Sequence, residues 1–600
     1  MVMKTGIKIL IIAVLAAFMH SCEEDFLDRT PQDQFSGETV WNDPGIARAF
    51  TSGFYRSLGD TEKYWGICSI SDEAMFLHGY DAFYVQGKMT ADNITNWPIK
   101  YSYSSKEPHG WQPWFKMIKR ANTGFENLES YVEPQELYTN SKWKAVKGEL
   151  HFFRAWNYFN LVRFYGGVPI IEKKFGLNDT SEVMVTRNTF KECVNFIQKD
   201  LDSARALLPS EPSELGRAYD AAAMALESRL WLYAASDLYN QADNTNPLVG
   251  YTDGNQRARW EKAQEAARAV MDLDKFSLYQ PSSDPVETYH KLFVEKTHSG
   301  DILSRYYKSP EAGHWFQGNN NPPGWNGWGC NQPIQQMVDA YEWQDGTDFS
   351  WNQQPDTLDP YGLGKNGQVD ANGNPLKRRD PRFYATILFD GAQFKPRPPE
   401  LEQYDSEGIV DVGHGVNQAG DVVDPGVDSR KGPNAPWNGT RTGYYLGKFA
   451  DHSIQTWEEQ ETTPYRVFRF AEILLNYAEA SIELGEESKA RDALNRIRSR
   501  VNMPAITASG QQLVEEYRQE RRVELAFEDH RYYDIRRWMI DDQVMQDDAM
   551  GVTIYDHPDG STTYKKVVAQ DRTYPERYSF NPIPATELRR NPKLEQNPGY

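Results

Sequence analysis

Between Pro464 and Trp538 the apolar residues return with the period of a helix, stop, and start again, and this stretch limits the folds open to the chain. From Tyr465 to Leu484 the apolar positions include Phe468, Ala471, Ile473, Leu474, Leu475, Tyr477 and Ala478. Arg466, Arg469, Glu472, Asn476, Glu479 and Glu483 fall three or four apart, which predicts a shared polar stripe. Gly485 is the residue type that most easily takes the left-handed conformation ending a helix. Glu486, Glu487 and Ser488 then open a second helix, with Ala490, Ala493, Leu494 and Ile497 on its apolar face. Helices joined by so short a turn pack antiparallel. A third helix is predicted from Gln511 to about Trp538, with acids and bases at ion-pairing spacings.

The segment NYAEASIELGEESKARDALNRI resembles a tetratricopeptide repeat, a helical hairpin stable only when stacked on similar hairpins. Partners are predicted earlier in the chain: Trp114–Leu128 with Ser141–Tyr165, stopped by Gly166, Gly167 and Pro169; Arg187–Leu208 with Ala218–Tyr239; and Trp260–Leu273. That makes about four hairpins in two blocks, about 111–273 and 464–540. A shorter helix is predicted over Trp41–Leu58, capped by Asn42 or Asp43 with Pro44 in its first turn.

The segments FRFAEILLNYAEA, ALNRIRSRVNMP, ERRVELAFEDHRYYDIRRW and the closing PIPATELRRNPKLEQNPGY closely resemble the C-terminal half of the SusD/RagB family. NQPIQQMVDAYEWQDG (331–346), RRDPRFYATILF (378–389) and TGYYLGKF (442–449) resemble it in the same order. The resemblance is weakest over 61–105, 306–330 and 395–440, where loops on a rigid scaffold would carry specificity. It implies a mostly α fold, with tetratricopeptide-like hairpins packed against a large irregular half at about 61–110 and 280–463. Residues 41–600 would form one body. It also implies a surface lipoprotein that binds glycans for a SusC-like TonB-dependent transporter, without catalysis and without a cofactor.

The N-terminus reads as an address. Lys4 and Lys8 precede an apolar run, Ile9–Met19, too short to span a bilayer, and His20-Ser21-Cys22 follows. This resembles a lipobox, giving a signal peptide over 1–21, a lipidated Cys22 and a tether over 22–40; Glu23, Glu24 and Asp25 resemble a surface-export signal. The alternative is an ordinary secretory signal cleaved near Ser21. Acyl chains would anchor the protein to the outer membrane without a transmembrane helix. A net charge of −20 disfavours nucleic acid as a partner. Cys193 is expected in the core, and Cys68 and Cys330 have the chance of pairing in an oxidising compartment.

The candidate binding residues are aromatic. GHWFQGNNNPPGWNGWG, Gly313–Gly329, sets Trp315, Phe316, Trp325 and Trp328 among Gly, Asn and Pro with no period to bury them together. Flat indoles stack on pyranose rings while neighbouring amides and carboxylates bind hydroxyls. We therefore expect glycan contacts from Trp315, Trp325 and Trp328, weighed against a role in pinning the loop. A second loop, 64–97, offers Trp65, Asp72, Tyr80, Tyr84, Asn96 and Trp97, each weighed against packing. Trp111 and Trp114 read as core. Glu472, Glu479, Glu524, Glu528 and Asp534 read as ion-paired helix faces rather than an acid/base pair, and His530 as a structural histidine. The acidic run Asp405–Asp428 has oxygens for calcium but no EF-hand spacing, and is expected to be a solvated loop. The rival functions are a surface enzyme acting on glycans and a binder of peptide or another non-glycan nutrient.

Overall fold

The computed structural model describes residues 40–59, 61, 66–79, 81–94, 110–175, 184–351, 359–362 and 378–600. Its principal helices are α1 (Pro44–Ser52), α2 (Trp111–Tyr131), α3 (Ser141–Tyr165), α4 (Phe190–Leu207), α5 (Asp220–Ala235), α6 (Gln256–Met271), α7 (Phe470–Glu483), α8 (Glu487–Arg500), α9 (Gln511–Glu524) and α10 (Arg531–Arg537). Local chemistry fixes their ends. The Asp43 carboxylate accepts from Gly45 N (2.6 Å) and Ile46 N (3.2 Å), with Pro44 in the first turn of α1. Thr189 and Glu192 form a reciprocal capping box on α4. Gly485 ends α7 at φ 81.

Successive helices stack in order from α2 to α6, and α6 then packs on α7, although the whole irregular middle separates them in sequence. The two predicted blocks are thus one continuous stack, each hairpin covering its neighbour's apolar face. Small residues let the helices approach: a Cβ at Gly124 of α2 would stand 2.8 Å from Leu150 of α3. Trp111 and Trp114 lie in this core, as expected, and so does Cys193.

Two boundaries differ from the sequence reading. In chain order the strands include β1 (Ala74–Phe76), β2 (Asp301–Arg305), β3 (Asn331–Pro333), β4 (His414–Val416), β5 (Val422–Pro425), β6 (Tyr465–Arg469), β7 (Ala549–Asp556) and β8 (Thr562–Gln570). The helix expected from Tyr465 begins only at Phe470, because β2 offers Tyr465–Arg469 an antiparallel ladder, Asp301 facing Arg469 and Arg305 facing Tyr465. The third helix is broken between α9 and α10, where Phe527 and Asp529 take φ of 61 and 66. There the backbone serves a distant partner: Phe527 N donates to Glu73 Oε1 at 2.8 Å.

The irregular half has its own core, which includes Tyr289, Phe316, Trp325, Phe383, Tyr444 and Phe449. A four-stranded sheet runs β8-β7-β4-β5, and β1 pairs with β3, tying the early loop to the middle of the chain. Cys68 and Cys330 are buried there, and no disulfide joins them. The acidic run is tied down at its ends, Asp405 lying 3.2 Å and Asp428 3.0 Å from the Arg397 guanidinium, while β4 and β5 pair antiparallel below a tip that is exposed to solvent as expected. Among the described residues no group of His, Cys, Asp and Glu is arranged to hold a metal ion, and no helix is long and apolar enough to cross a membrane.

Buried ion pairs join the halves. Glu524 of α9 meets Arg469 (2.6 Å), Arg500 (2.7 Å) and Arg382 (3.2 Å) of the irregular half, and Arg382 also meets Asp380 (2.7 Å) and Glu520 (2.5 Å). Glu472 pairs with Arg229 of α5 (2.6 Å), and Asp534 with Arg521 (2.8 Å) and Arg537 (2.7 Å). Glu479 pairs with Arg537, and Glu528 with Arg469 (2.6 Å) and Lys448 (2.8 Å). The carboxylates are ion-paired as expected, but mostly across elements and inside the protein rather than along exposed helix faces. His530 is buried, and burial and surrounding arginines hold its pKa well below the usual value.

Candidate functional site

The loop over 313–332 is held at both ends. His314 pairs with Glu461 through two backbone hydrogen bonds (3.0 and 2.9 Å), and Asn331 enters β3. Between them the tryptophans separate by role. Trp325 is fully buried: its ring lies 5.1 Å from Phe394, the Arg397 guanidinium sits 4.0 Å from its centre, and Nε1 donates to Lys395 O at 3.0 Å. It pins the loop and has no face for a ligand, which corrects the expectation for this residue. Trp315 and Trp328 are half-buried and flank a third indole that the sequence reading passed over, Trp457.

Trp457 is the centre of the arrangement. Its ring centre is 5.4 Å from that of Trp315 and 5.1 Å from that of Trp328, with interplanar angles of 39° and 49°. It is 36 % exposed. Its backbone takes φ 65, costly for a bulky residue and held by surroundings that over-determine it. Nε1 donates to Asn326 O at 2.8 Å, and the indole lies against Gly318, where a Cβ would stand 2.5 Å from the ring. Glycine is required there because the ring occupies the space of a side chain. Beneath, Lys395 Nζ donates to Gln317 Oε1 (2.5 Å) and Ile454 O (2.6 Å), and Gln317 N donates to Glu461 Oε1 (2.6 Å), bracing the 451–461 segment. Burial pushes the Glu461 carboxyl up to about 8 and the Lys395 ammonium down to about 8.

A fourth indole stands nearby. Trp437, in the turn Pro436–Asn438, is 69 % exposed, and Asn438 Nδ2 donates to Gly327 O at 3.3 Å, fastening that turn beside Trp328. His78, hydrogen-bonded to the Trp328 backbone, brings the early loop to the same place. The result is a shallow aromatic platform, Trp315–Trp457–Trp328, with the turn that carries Trp437 fastened beside the Trp328 backbone. Large rigid rings present contact area at low entropic cost, and they stack on flat apolar faces.

The second predicted loop is divided. Trp65, Tyr80, Asn96 and Trp97 lie outside the described residues. Asp72 is buried between Arg531 (2.8 Å) and Arg522 (2.9 Å), and Tyr84 is buried with its ring 5.0 Å from that of Tyr578 and its hydroxyl bonded to Arg536. Both are structural, which corrects the expectation that they touch ligand: an Asp with two guanidiniums has no lone pair directed at solvent. Burial raises the pKa of Asp72, but the two arginines prevail and hold it well below the usual range. Trp457 and Trp437 were missed because each sits in a short, charged or Pro-rich stretch that reads as an ordinary turn. A separate groove of about 810 Å³ runs between α2 and the C-terminal helix Ala585–Arg590, with Trp111, Phe115 and Ile171 on its walls and Lys116 and Lys119 at its rim.

The comparisons agree with this architecture. A model of the SusD family matches residues 297–600. The chain belongs to the SusD family. A second model, described as starch-binding associating with outer membrane, matches residues 25–232. A SusD-like protein of Bacteroides ovatus is 22 % identical over 550 residues, 88 % of this chain and 82 % of that protein. SusD-like protein P2 of Formosa agariphila is 24 % identical over 513 residues, 82 % of this chain and 80 % of that one. Among solved structures, a SusD-like protein of Bacteroides fragilis superposes with a TM-score of 0.73 at 27 % identity, covering 95 % of this chain and all of that one. A SusD-like carbohydrate binding protein of the same species gives 0.69 at 23 %, covering 93 % and 100 %. This SusD-family chain therefore has the mostly α fold expected of it.

Proposed function

We propose that this SusD-family protein captures an oligosaccharide or polysaccharide at the cell surface and passes it to a SusC-like TonB-dependent transporter, held at the outer membrane by lipid on Cys22. The observation that carries the reading is the Trp315–Trp457–Trp328 platform, whose central indole is kept in a costly backbone conformation at the surface. Support comes from the family itself and from the carbohydrate-binding relative of the same fold. Trp315, Trp328, Trp457 and Trp437 are the proposed stacking faces, and Trp65, Tyr80, Asn96 and Trp97 are proposed contacts from the early loop. The role is capture rather than turnover: the carboxylates of α7 to α10 named above are neutralised by arginine or lysine partners, leaving none of them as an acid/base pair. Titration calorimetry of the purified protein against plant and host polysaccharides, with chromatography of the mixture, tests this. Heat with one glycan class and no product is the expected result. Product formation would establish an enzyme, and binding confined to peptides would replace the glycan reading.

A further inference from the structure

The chain carries 85 acidic and 65 basic side chains, so a cluster of cations without acidic partners stands out. One lies at the Trp328 end of the platform. A parallel bridge between Ser429 and Thr440 sets the next residues, Arg430 and Arg441, side by side, and both are exposed. The loop between them is fastened to the platform: Arg441 N donates to Gln332 Oε1 at 2.9 Å, and a Cβ at Gly329 would stand 2.7 Å from Asn438 O. That loop also carries exposed Trp437. Burial, and then Arg441, hold the Arg430 pKa down, and no carboxylate among the described residues offsets them. Burial, with Arg441 and Arg430, also keeps the His78 pKa low. The adjacent acid, Asp428, turns inward to Arg397 (3.0 Å) and accepts from Gly324 N (2.8 Å). Exposed Glu458 and Glu459 follow the central Trp457 in sequence. The platform is therefore basic at its Trp328 end.

We propose that the Trp328–Trp437 end binds a negatively charged sugar residue, Arg430 and Arg441 forking its carboxylate or sulfate ester while an indole stacks on its ring. The inference rests on the reading of the platform as a glycan site. Paired guanidiniums match planar or tetrahedral oxyanions bidentately, and an anion between them relieves their mutual repulsion. Polygalacturonate and dextran sulfate are the charged probes, separating carboxylate from sulfate, with neutral galactan and dextran as controls. In calorimetry one charged probe should bind about tenfold or more tightly than its neutral control, weakening as salt rises. The Arg430→Gln/Arg441→Gln pair should lose about tenfold for that probe with its melting temperature little changed, since neither guanidinium makes a hydrogen bond or ion pair among the described residues. Lys142→Gln/Lys199→Gln, exposed on the helical stack, should change nothing. Equal affinity for charged and neutral probes, or an equal loss in the lysine pair, overturns the charge assignment and leaves the glycan reading standing. Charged-probe binding that survives both the arginine pair and Trp437→Ala overturns the placement at this end of the platform. No binding of any carbohydrate, or carbohydrate binding that Trp457→Ala leaves unchanged, would instead sink the reading of the platform as a glycan site.

Discussion

At the scale of single residues, chemistry depends on which face of a side chain the fold leaves open. Trp325 and Trp437 are the same residue type in similar Gly- and Pro-rich surroundings, yet one is fully buried and the other 69 % exposed. Trp325→Ala should destabilise by about 3–5 kcal/mol, as for a large aromatic removed from a packed core, seen as a lower denaturation midpoint. Trp437→Ala should leave that midpoint unchanged and weaken glycan binding by about 0.5–1.5 kcal/mol, seen by calorimetry. The sequence makes the aromatic wealth of 313–329 plain. It does not tell which indole is covered, because the covering groups, Phe394, Arg397 and Lys395, arrive from a loop about seventy residues away. Trp457 was equally hidden, since its φ of 65 depends on Gly318 and Asn326 rather than on its neighbours in sequence. Glu73 gives a pH test. Burial pushes its carboxyl up to about 8 from an ordinary value of 4.5. The folded state thus prefers the neutral acid, and the contribution to stability is full below about 4.5 and lost as pH rises through about 8. Glu73→Gln should melt like the parent at pH 5 and above it at pH 8.5.

At the scale of elements, helices were legible where an apolar pattern ran on, as for α3 and α4, and where a cap and proline marked the start, as Asp43 and Pro44 do for α1. The errors fell where a partner distant in sequence competes for the backbone: β2 takes Tyr465–Arg469 out of α7, and Glu73 takes Phe527 out of the α9–α10 run. Periodicity reports side-chain faces, not backbone partners. Two element-level outcomes follow. Gly318→Val would drive a side chain into the Trp457 ring, so it should abolish stacking with a smaller loss in melting temperature than Trp325→Ala. Removing one partner of the Asp72–Arg531 pair, as in Arg531→Met, should cost about 3–5 kcal/mol because it strips a buried carboxylate of its bidentate partner. Its effect should be largest at neutral pH and shrink in acid, where Asp72 becomes protonated and the stability it confers above its unfolded value is lost.

At the scale of the molecule, a continuous helical stack and an irregular half are joined by arginines that reach across the seam, Arg382 to Glu520 and Glu524 among them. The family resemblance predicted this division; the period alone predicted hairpins in two blocks and did not reveal that α6 closes onto α7. The platform occupies the irregular half, and the 810 Å³ groove the helical one. These two surfaces are the natural competitors for a ligand. The decisive measurement is the structure of the protein with a bound oligosaccharide taken from the glycan class that gives heat. The expected result is a sugar ring stacked on Trp457 or Trp328, with further contact from Trp437. A sugar seated in the groove against Trp111 and Phe115, with the platform bare, would contradict it.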